Sequence, residues 1–232
     1  MIAIILARKN SKEIKNKNLT LIKNKPLIYW TILSCLKSKF IKETYVSSDS
    51  KKILKIAKSF GVKTIVRPTK ISGDKSSSEA GWLHAIREIE KNLDFETVVA
   101  LQATSCLRSK KNLDKAILFY KKKKFDTLFS GNEIKSPFYW QKKNKKLISN
   151  YNFKKRKMRQ ETKSIILENG SFFIFKKNGF KKNKNRFFGK IGFFKDEYYT
   201  SFQIDSKDDL ELLKILMNRN VYSKKINKKY LL

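Results

Sequence analysis

Ile2-Ala3-Ile4-Ile5-Leu6-Ala7 (IAIILA, residues 2–7) is the stretch that decides the fold. It is a continuous apolar run of strand length, without the alternation of a half-exposed strand, so both of its faces must be covered. Strands buried on both faces belong to parallel sheets layered by helices. Outward from it, Pro26 opens a helical stretch, PLIYWTILSCLKS, in which Ile28, Ile32, Cys35 and Leu36 fall on one face. TYVSSD (44–49) reads as a strand and 50–60 as a helix. Ser50 is placed to cap that helix, and Gly61 stands where a left-handed C-terminal residue is wanted. VKTIV (62–66), TVVALQ (97–102) and DTLFSG (126–131) read as further strands, with helices over 76–92 and 111–123. The alternation predicts an α/β fold built on a mostly parallel, doubly wound sheet. From 132 to 167 the sequence turns polar and lysine-rich with scattered aromatics, the mark of an inserted, β-rich arm. GSFFIF (170–175) and YTSFQID (199–205) read as strands returning to the sheet, and Ser206 opens a last helix. The expectation is one domain over 1–232 carrying an arm at 132–167.

Composition bounds the function. With 232 residues, 41% hydrophobic and 17 Phe, the chain can bury a large core, which excludes wholesale disorder. No apolar run approaches the ~20 residues of a membrane span. The N-terminus lacks the basic start and cleavage site of a signal peptide, so the expected location is cytoplasmic, without a membrane partner. Cys35 and Cys106 show no metal-type spacing and read as reduced thiols. The 54 Lys+Arg against 20 Asp+Glu give a net charge of +34, which suits either a polyanionic partner or a lysine-rich solvated coat. Clusters such as Lys121–Lys124 and Lys181–Lys184 are scattered along the chain rather than gathered on one element. That scatter favours the coat, with no specific nucleic-acid partner.

In open parallel sheets, ligands sit beyond the carboxyl ends of the strands. The loop after the first strand, Arg8 to Asn18, carries five cations and a hydroxyl. Such a loop suits a triphosphate, because fixed cations and backbone amides neutralise charge and Arg binds two oxygens at once. An ordinary lysine-rich surface loop would look the same. It is not a Walker loop, since the glycines and the GK[ST] ending are missing.

Seven segments then resemble, in order, the acylneuraminate (CMP-sialic-acid-type nonulosonate) cytidylyltransferases. They are LARKNSKEIKNKNL (6–19), VSSDS (46–50), RP (67–68), GDKSSS (73–78), LQATSCLR (101–108), ENG (168–170) and FQIDSKDDLELL (202–213). The resemblance runs from about Ile2 to Met217 and implies a nucleotide-diphospho-sugar transferase-like, Rossmann-like fold whose arm dimerises. It implies CTP and a nonulosonic acid as substrates, with Mg²⁺ (or Mn²⁺) as cofactor. Arg8, Ser11, Lys12 and Lys17 are implied around the phosphates, and Asn18, Arg67 and Ser78 on the nucleotide. Gln102, Asn169 and Phe173 are implied along the sugar. Arg159 matches an arginine that the arm delivers into the neighbouring subunit, which implies a homodimer. Asp205 matches a metal ligand, and Arg8, Lys17 and Asp205 form the implied catalytic set.

The chain departs from the family where Lys9-Asn10 replaces Gly-Gly, though Asn tolerates positive φ. Ala103 and Cys106 replace frequent prolines. Gln203 stands where many relatives have a second metal-site Asp, which leaves Asp205 with water and phosphate. Structural alternatives accompany these assignments. Asp205 or Ser206 is placed to cap the last helix, and Ser76–Ser78 to cap an earlier one. Gln102 suits a loop hydrogen bond, Asn169-Gly170 a turn, and one of Phe172 and Phe173 the core. His84 reads as a packing or surface residue. Rival functions are a Kdo-type cytidylyltransferase, a basic nucleic-acid-binding protein and an inactive relative. Kdo enzymes carry an acidic residue where this chain has Thr104 to Arg108, which favours the sialic-type group.

Overall fold

The computed structural model describes the chain apart from Asn10, Lys12, Ser109, Ser136, Pro137, 198–201 and 219–232, and apart from the side chains of Lys110, Arg159 and Asn218. In chain order the elements begin β1 (Ile2–Leu6), β2 (Leu21–Ile22), β3 (Lys25–Pro26), α1 (Leu27–Leu36), β4 (Glu43–Ser48), α2 (Lys51–Ser59) and β5 (Lys63–Val66). Next come α3 (Ser78–Glu90), β6 (Thr97–Gln102), α4 (Lys110–Lys123), β7 (Thr127–Ile134), β8 (Trp140–Lys143) and β9 (Lys146–Ser149). The chain closes with β10 (Ile165–Lys176), α5 (Lys177–Asn183), β11 (Ile191–Lys195) and α6 (Lys207–Asn218). Seven strands form the main sheet in the order β11-β7-β10-β6-β1-β4-β5. β1 pairs in parallel with β4 and β6, β4 with β5, and β7 with β11, while β10 runs antiparallel between β6 and β7. The sheet is mostly parallel, as the continuous apolar run of β1 requires.

Strand alternation sends each face of the sheet into its own core. Ala3, Ile5, Ala7, Val99 and Leu101 pack with Ile28 and Ile32 of α1, Ile53 and Ala57 of α2, and Leu113, Ala116 and Ile117 of α4. Ile2, Ile4, Val98 and Ala100 point the other way, onto Trp82, Ala85, Ile86 and Ile89 of α3 and Phe180 of α5. Helices thus cover both faces, so the sheet is doubly wound. The local signals hold too. Ser50 Oγ accepts from the Ile53 amide at 3.3 Å, and Gly61 adopts φ +78°. The lysines that end α4 and α5 are therefore carried by helices on opposite faces of the sheet.

Three sequence expectations are corrected. In YTSFQID, residues 199–201 lie outside the described residues, and Phe202–Asp205 form no strand. Ile204 is instead buried in a third cluster with Ile14, Ile22, Leu27, Cys106, Leu107 and Leu213, which pins the segment across the loops at the carboxyl end of the sheet. The edge strand is β11, and α5 precedes it. Next, β7 runs on to Ile134 and β10 begins at Ile165, so both ends of the 132–167 segment belong to the main sheet. Between them β8 and β9 pair only with each other, as an antiparallel hairpin. Finally, both Phe172 and Phe173 are core, one on each face, because neither face of β10 is open at that point. Among the described residues, no helix is long and apolar enough to cross a membrane.

Candidate active site at the carboxyl edge of the sheet

From β1 the chain winds outward through β4 and β5, then returns to β6 on the other side of β1. The carboxyl ends of β1 and β6 therefore flank a topological switch point, where a crevice opens. A cavity of about 350 Å³ lies there, lined by Leu6 at the end of β1 and Gln102 at the end of β6. The loop after β1 contributes Arg8, Ser11, Lys17 and Asn18, and the segment after β5 contributes Arg67, Ser72 and Asp74. Ser78, in the first turn of α3, and Asp205, ahead of α6, complete the ring.

Several of the cavity's charged side chains are held by hydrogen bonds between distant segments. The loop after β1 is tied at Lys9, whose backbone N–H donates to Asp49 Oδ1 at 2.7 Å, and at Asn18, whose Nδ2 donates to the Arg8 carbonyl at 3.0 Å. Arg8 Nη1 reaches Asp74 Oδ1 at 2.7 Å across the cavity. Lys17 Nζ donates to the Ile204 carbonyl at 2.5 Å and to Asp205 Oδ1 at 3.1 Å, which joins the first loop to the last. Arg67 is buried, with its Nε on Ser72 Oγ at 2.9 Å, and Ser72 Oγ in turn donates to the Pro68 carbonyl. Burial pulls the Arg67 pKa down and Asp49 works against that, while Arg8 adds to the lowering. A guanidinium stays cationic at neutral pH all the same.

The capping roles fall to other residues than Ser78 and Asp205. Ser77, not Ser78, caps α3, accepting from the Ala80 amide at 3.2 Å. At α6, Ser206 Oγ accepts from the Asp209 amide, and Asp209 Oδ2 accepts from the Ser206 and Asp205 amides, a reciprocal capping box. Asp205 is thus free of capping duty, and its side chain is 73% exposed toward the cavity mouth.

The remaining sequence assignments divide. Gln102 lines the cavity. Asn169 does not line it; its Oδ1 accepts from Ser130 Oγ at 2.7 Å and from the Ser171 amide at 3.0 Å, within the irregular register between Glu168 and Phe173. Gln203 Nε2 donates to the Asn169 carbonyl at 2.6 Å and lies 3.5 Å from Ser105 Oγ, so this amide braces two loops. Gly170 allows that approach, because it sits at φ +62° and a Cβ there would lie 2.5 Å from Gln203 Nε2. Phe173 is a correction: it is fully buried, with its ring against Trp82 and Phe187, so it is core rather than sugar-facing surface. Arg159 begins a short 3₁₀ turn in the inserted segment, its side chain outside the described residues, as is Lys12. His84 does not line the cavity. The sequence reading missed Asp49 and Asp74, each the lone acid of its motif in a chain poor in acids, and that scarcity was the available signal.

Among the described residues, no group of three or more His, Cys, Asp and Glu side chains stands together in metal-binding fashion. What the cavity offers is two exposed carboxylates, Asp74 paired with Arg8 and Asp205 paired with Lys17, beside phosphate-suited cations. That donor set fits Mg²⁺, which keeps several waters and takes phosphate oxygens instead of an all-protein cage.

Gly81 supports the cavity from behind. A Cβ there would lie 3.1 Å from Leu6 Cδ1 and 3.2 Å from Arg67 Nη1, both cavity-lining residues. Gly81→Ala should therefore weaken the cavity's hold on an anion such as inorganic tripolyphosphate by roughly 3- to 10-fold through displacement of Arg67, while Ala's better helix propensity, worth up to ~1 kcal/mol, sustains stability. Calorimetric titration together with a thermal melt checks this; a lower Tm with unchanged affinity would contradict it.

The sheet order and its cation-lined switch-point cavity place the chain in the class of doubly wound α/β proteins that carry a ligand at the carboxyl edge. The chain belongs to the cytidylyltransferase family, whose family model, described as Cytidylyltransferase, matches residues 2–229. An N-acylneuraminate cytidylyltransferase of Escherichia coli O18:K1:H7 is 30% identical over 91% of this chain and 51% of its own length. The flagellin modification protein B of Campylobacter coli is 26% identical over 97% of this chain and 98% of its own length. The chain thus spans about half or less of the first acylneuraminate relatives it matches. The solved structure of a CMP:2-keto-3-deoxy-manno-octonic acid synthetase with CTP superposes with a TM-score of 0.69 at 14% identity, covering 93% of this chain and 97% of that one, which shows the shared fold.

Proposed function

We propose that the chain transfers CMP from CTP to the anomeric hydroxyl of a sialic-acid-like nonulosonic acid, with pyrophosphate released, in the synthesis of surface glycans. The observation that carries this reading is the single cavity shared by Arg8, Ser11, Lys17, Asn18, Arg67, Ser78, Gln102 and Asp205, which come from five separate segments of chain. The hydroxyl oxygen bonds to the α-phosphorus as the bond from that phosphorus to the bridging oxygen breaks, the electron pair leaving with pyrophosphate and the hydroxyl proton passing to water. Such displacements need positioning and charge neutralisation above all. Arg8 and Lys17 reach across the cavity to grip phosphate oxygens, and Arg67 holds fixed positive charge at the cavity wall. Asp205 would hold Mg²⁺ (or Mn²⁺), which when bound would neutralise phosphate charge and acidify a nearby hydroxyl. Gln102 faces the acceptor sugar.

The E. coli relative's name supports an N-acylneuraminate as the substrate class, and the Campylobacter coli relative is named for post-translational flagellin modification. A second copy of the chain as partner is part of the proposal. Trp140, Leu147, Ile148, Phe153 and Met158 are all exposed on or beside the β8–β9 hairpin, a grouping suited to covering by another protein surface.

The test is pyrophosphate release from CTP with Mg²⁺ and a panel of N-acetylneuraminic, legionaminic and pseudaminic acids, with the eight-carbon Kdo alongside. Turnover with one of the nine-carbon acids and little with Kdo is the expected result. Preference for Kdo would move the substrate to the eight-carbon class, and release with none of them would refute the activity.

A further inference from the structure

The geometry points to Asp74 as the residue that sets phosphate affinity through Arg8, by competing with phosphate oxygens for its guanidinium. This rests on the proposed phosphate role of Arg8. Three cations, Arg8, Lys17 and Arg67, and two carboxylates, Asp74 and Asp205, line the cavity among the described residues. Asp205 sits opposite Lys17 and has a metal role to take up when the nucleotide arrives. Asp74 is different: its Oδ1 holds Arg8 Nη1 at 2.7 Å, and a phosphate that engages the Arg8 fork meets that carboxylate as a rival.

The support under Asp74 is built to present it. It follows Gly73 in a turn closed by the Ser76 amide on the Gly73 carbonyl at 3.0 Å. On one side the loop is fastened by Ser72 Oγ, which accepts from Arg67 and donates to Pro68. On the other it runs into Ser77, the cap of α3. Arg8 is fastened in turn through its carbonyl to Asn18. Two tethered backbones thus aim opposite charges at each other over the cavity. Both side chains are partly solvated, at 36% and 48%, so the pair is weak enough to exchange. The same exchange runs in reverse when pyrophosphate leaves, because Asp74 then retakes the guanidinium. Asp74 is therefore a positioning residue that trades nucleotide affinity for product release.

The experiment is a double-mutant cycle in which inorganic tripolyphosphate and, separately, CTP are titrated into wild type, Asp74→Asn, Arg8→Ala and the double variant by calorimetry at low ionic strength. Asp74→Asn keeps the shape and removes the charge, and it should tighten tripolyphosphate about 3- to 5-fold, with the inhibition constant of pyrophosphate falling by the same factor. In the Arg8→Ala background the gain should shrink to less than about twofold. Asp74→Ala serves as a second variant and should move binding in the same direction. Unchanged or weaker binding in both Asp74 variants, or an equal gain in both backgrounds, would overturn the assignment. Tripolyphosphate binding that follows the cycle in a protein with no preference for CTP over ATP would leave Asp74's role standing and refute the cytidylyltransferase reading instead.

Discussion

Asparagine in place of Asp205 should lower kcat for pyrophosphate release by at least about 100-fold, equivalent to ~2.7 kcal/mol of transition-state stabilisation. The substitution keeps the side-chain shape, so its effect isolates the negative charge. That charge has little structural work to do. Ser206 and Asp209 cap α6 by themselves, and the Asp205 side chain is largely exposed. Its ion pair with the largely buried Lys17 has an exposed carboxylate, and Lys17 keeps the Ile204 carbonyl when that charge is removed, so Tm should move little. Gln203 is turned away to brace Asn169, Asp209 is engaged in the α6 cap and Asp74 is paired with Arg8, so the carboxylates and amide nearest to Asp205 are already committed. The half-saturating Mg²⁺ concentration should rise along with the fall in kcat. A near-wild-type kcat in a folded Asp205→Asn variant would remove Asp205 from the reaction.

Arg8→Ala should act on the nucleotide instead, raising KM for CTP by roughly 10- to 100-fold. Hydrogen bonds to charged partners are worth ~1.5–3 kcal/mol each, and a guanidinium offers two parallel bonds to a phosphate. The residue sits directly after a strand buried on both faces, so its backbone cannot drift to compensate. Arg8→Lys should recover only part of the loss, because an ammonium carries the charge without the fork. The defect should narrow in high salt, where screening weakens the wild-type advantage. Binding isotherms for CTP with the two variants check this, and equal affinity in wild type and Arg8→Ala would contradict it.

The centre of the fold was legible because its signals are local. IAIILA and the VVAL of TVVALQ are continuous apolar runs such as a two-faced strand buries, and Ser50 and Gly61 mark their helix ends by chemistry that acts within a few residues. The C-terminal third was harder, because its apolar residues answer to distant partners. FQID alternates like a strand, yet Ile204 is claimed by a cluster drawn from the loops after β1 and β6 and from β2, α1 and α6. KKNGFKK looks like a lysine-rich loop, since Phe180 is the one apolar side chain that α5 sends into the core. At the site, Lys17 and Asp205 are 188 residues apart and Arg8 and Asp74 66 apart, spacings that no periodicity connects. Only the ordered series of family motifs brought most of them onto one list, and it carried Phe173 along although both faces of β10 are covered. Asp74 and Asp49 went unnoticed because a partner across the fold, not a neighbour in sequence, defines what each does.

A crystal structure of the protein with CTP and Mg²⁺ would test the shared cavity most directly. The prediction is a triphosphate within hydrogen-bonding reach of Arg8 and Lys17, with Asp74 withdrawn from Arg8 and the Asp205 carboxylate on the metal. A nucleotide bound away from the β1–β6 crevice, with Arg8 still on Asp74 and Lys17 still on Asp205, would contradict it.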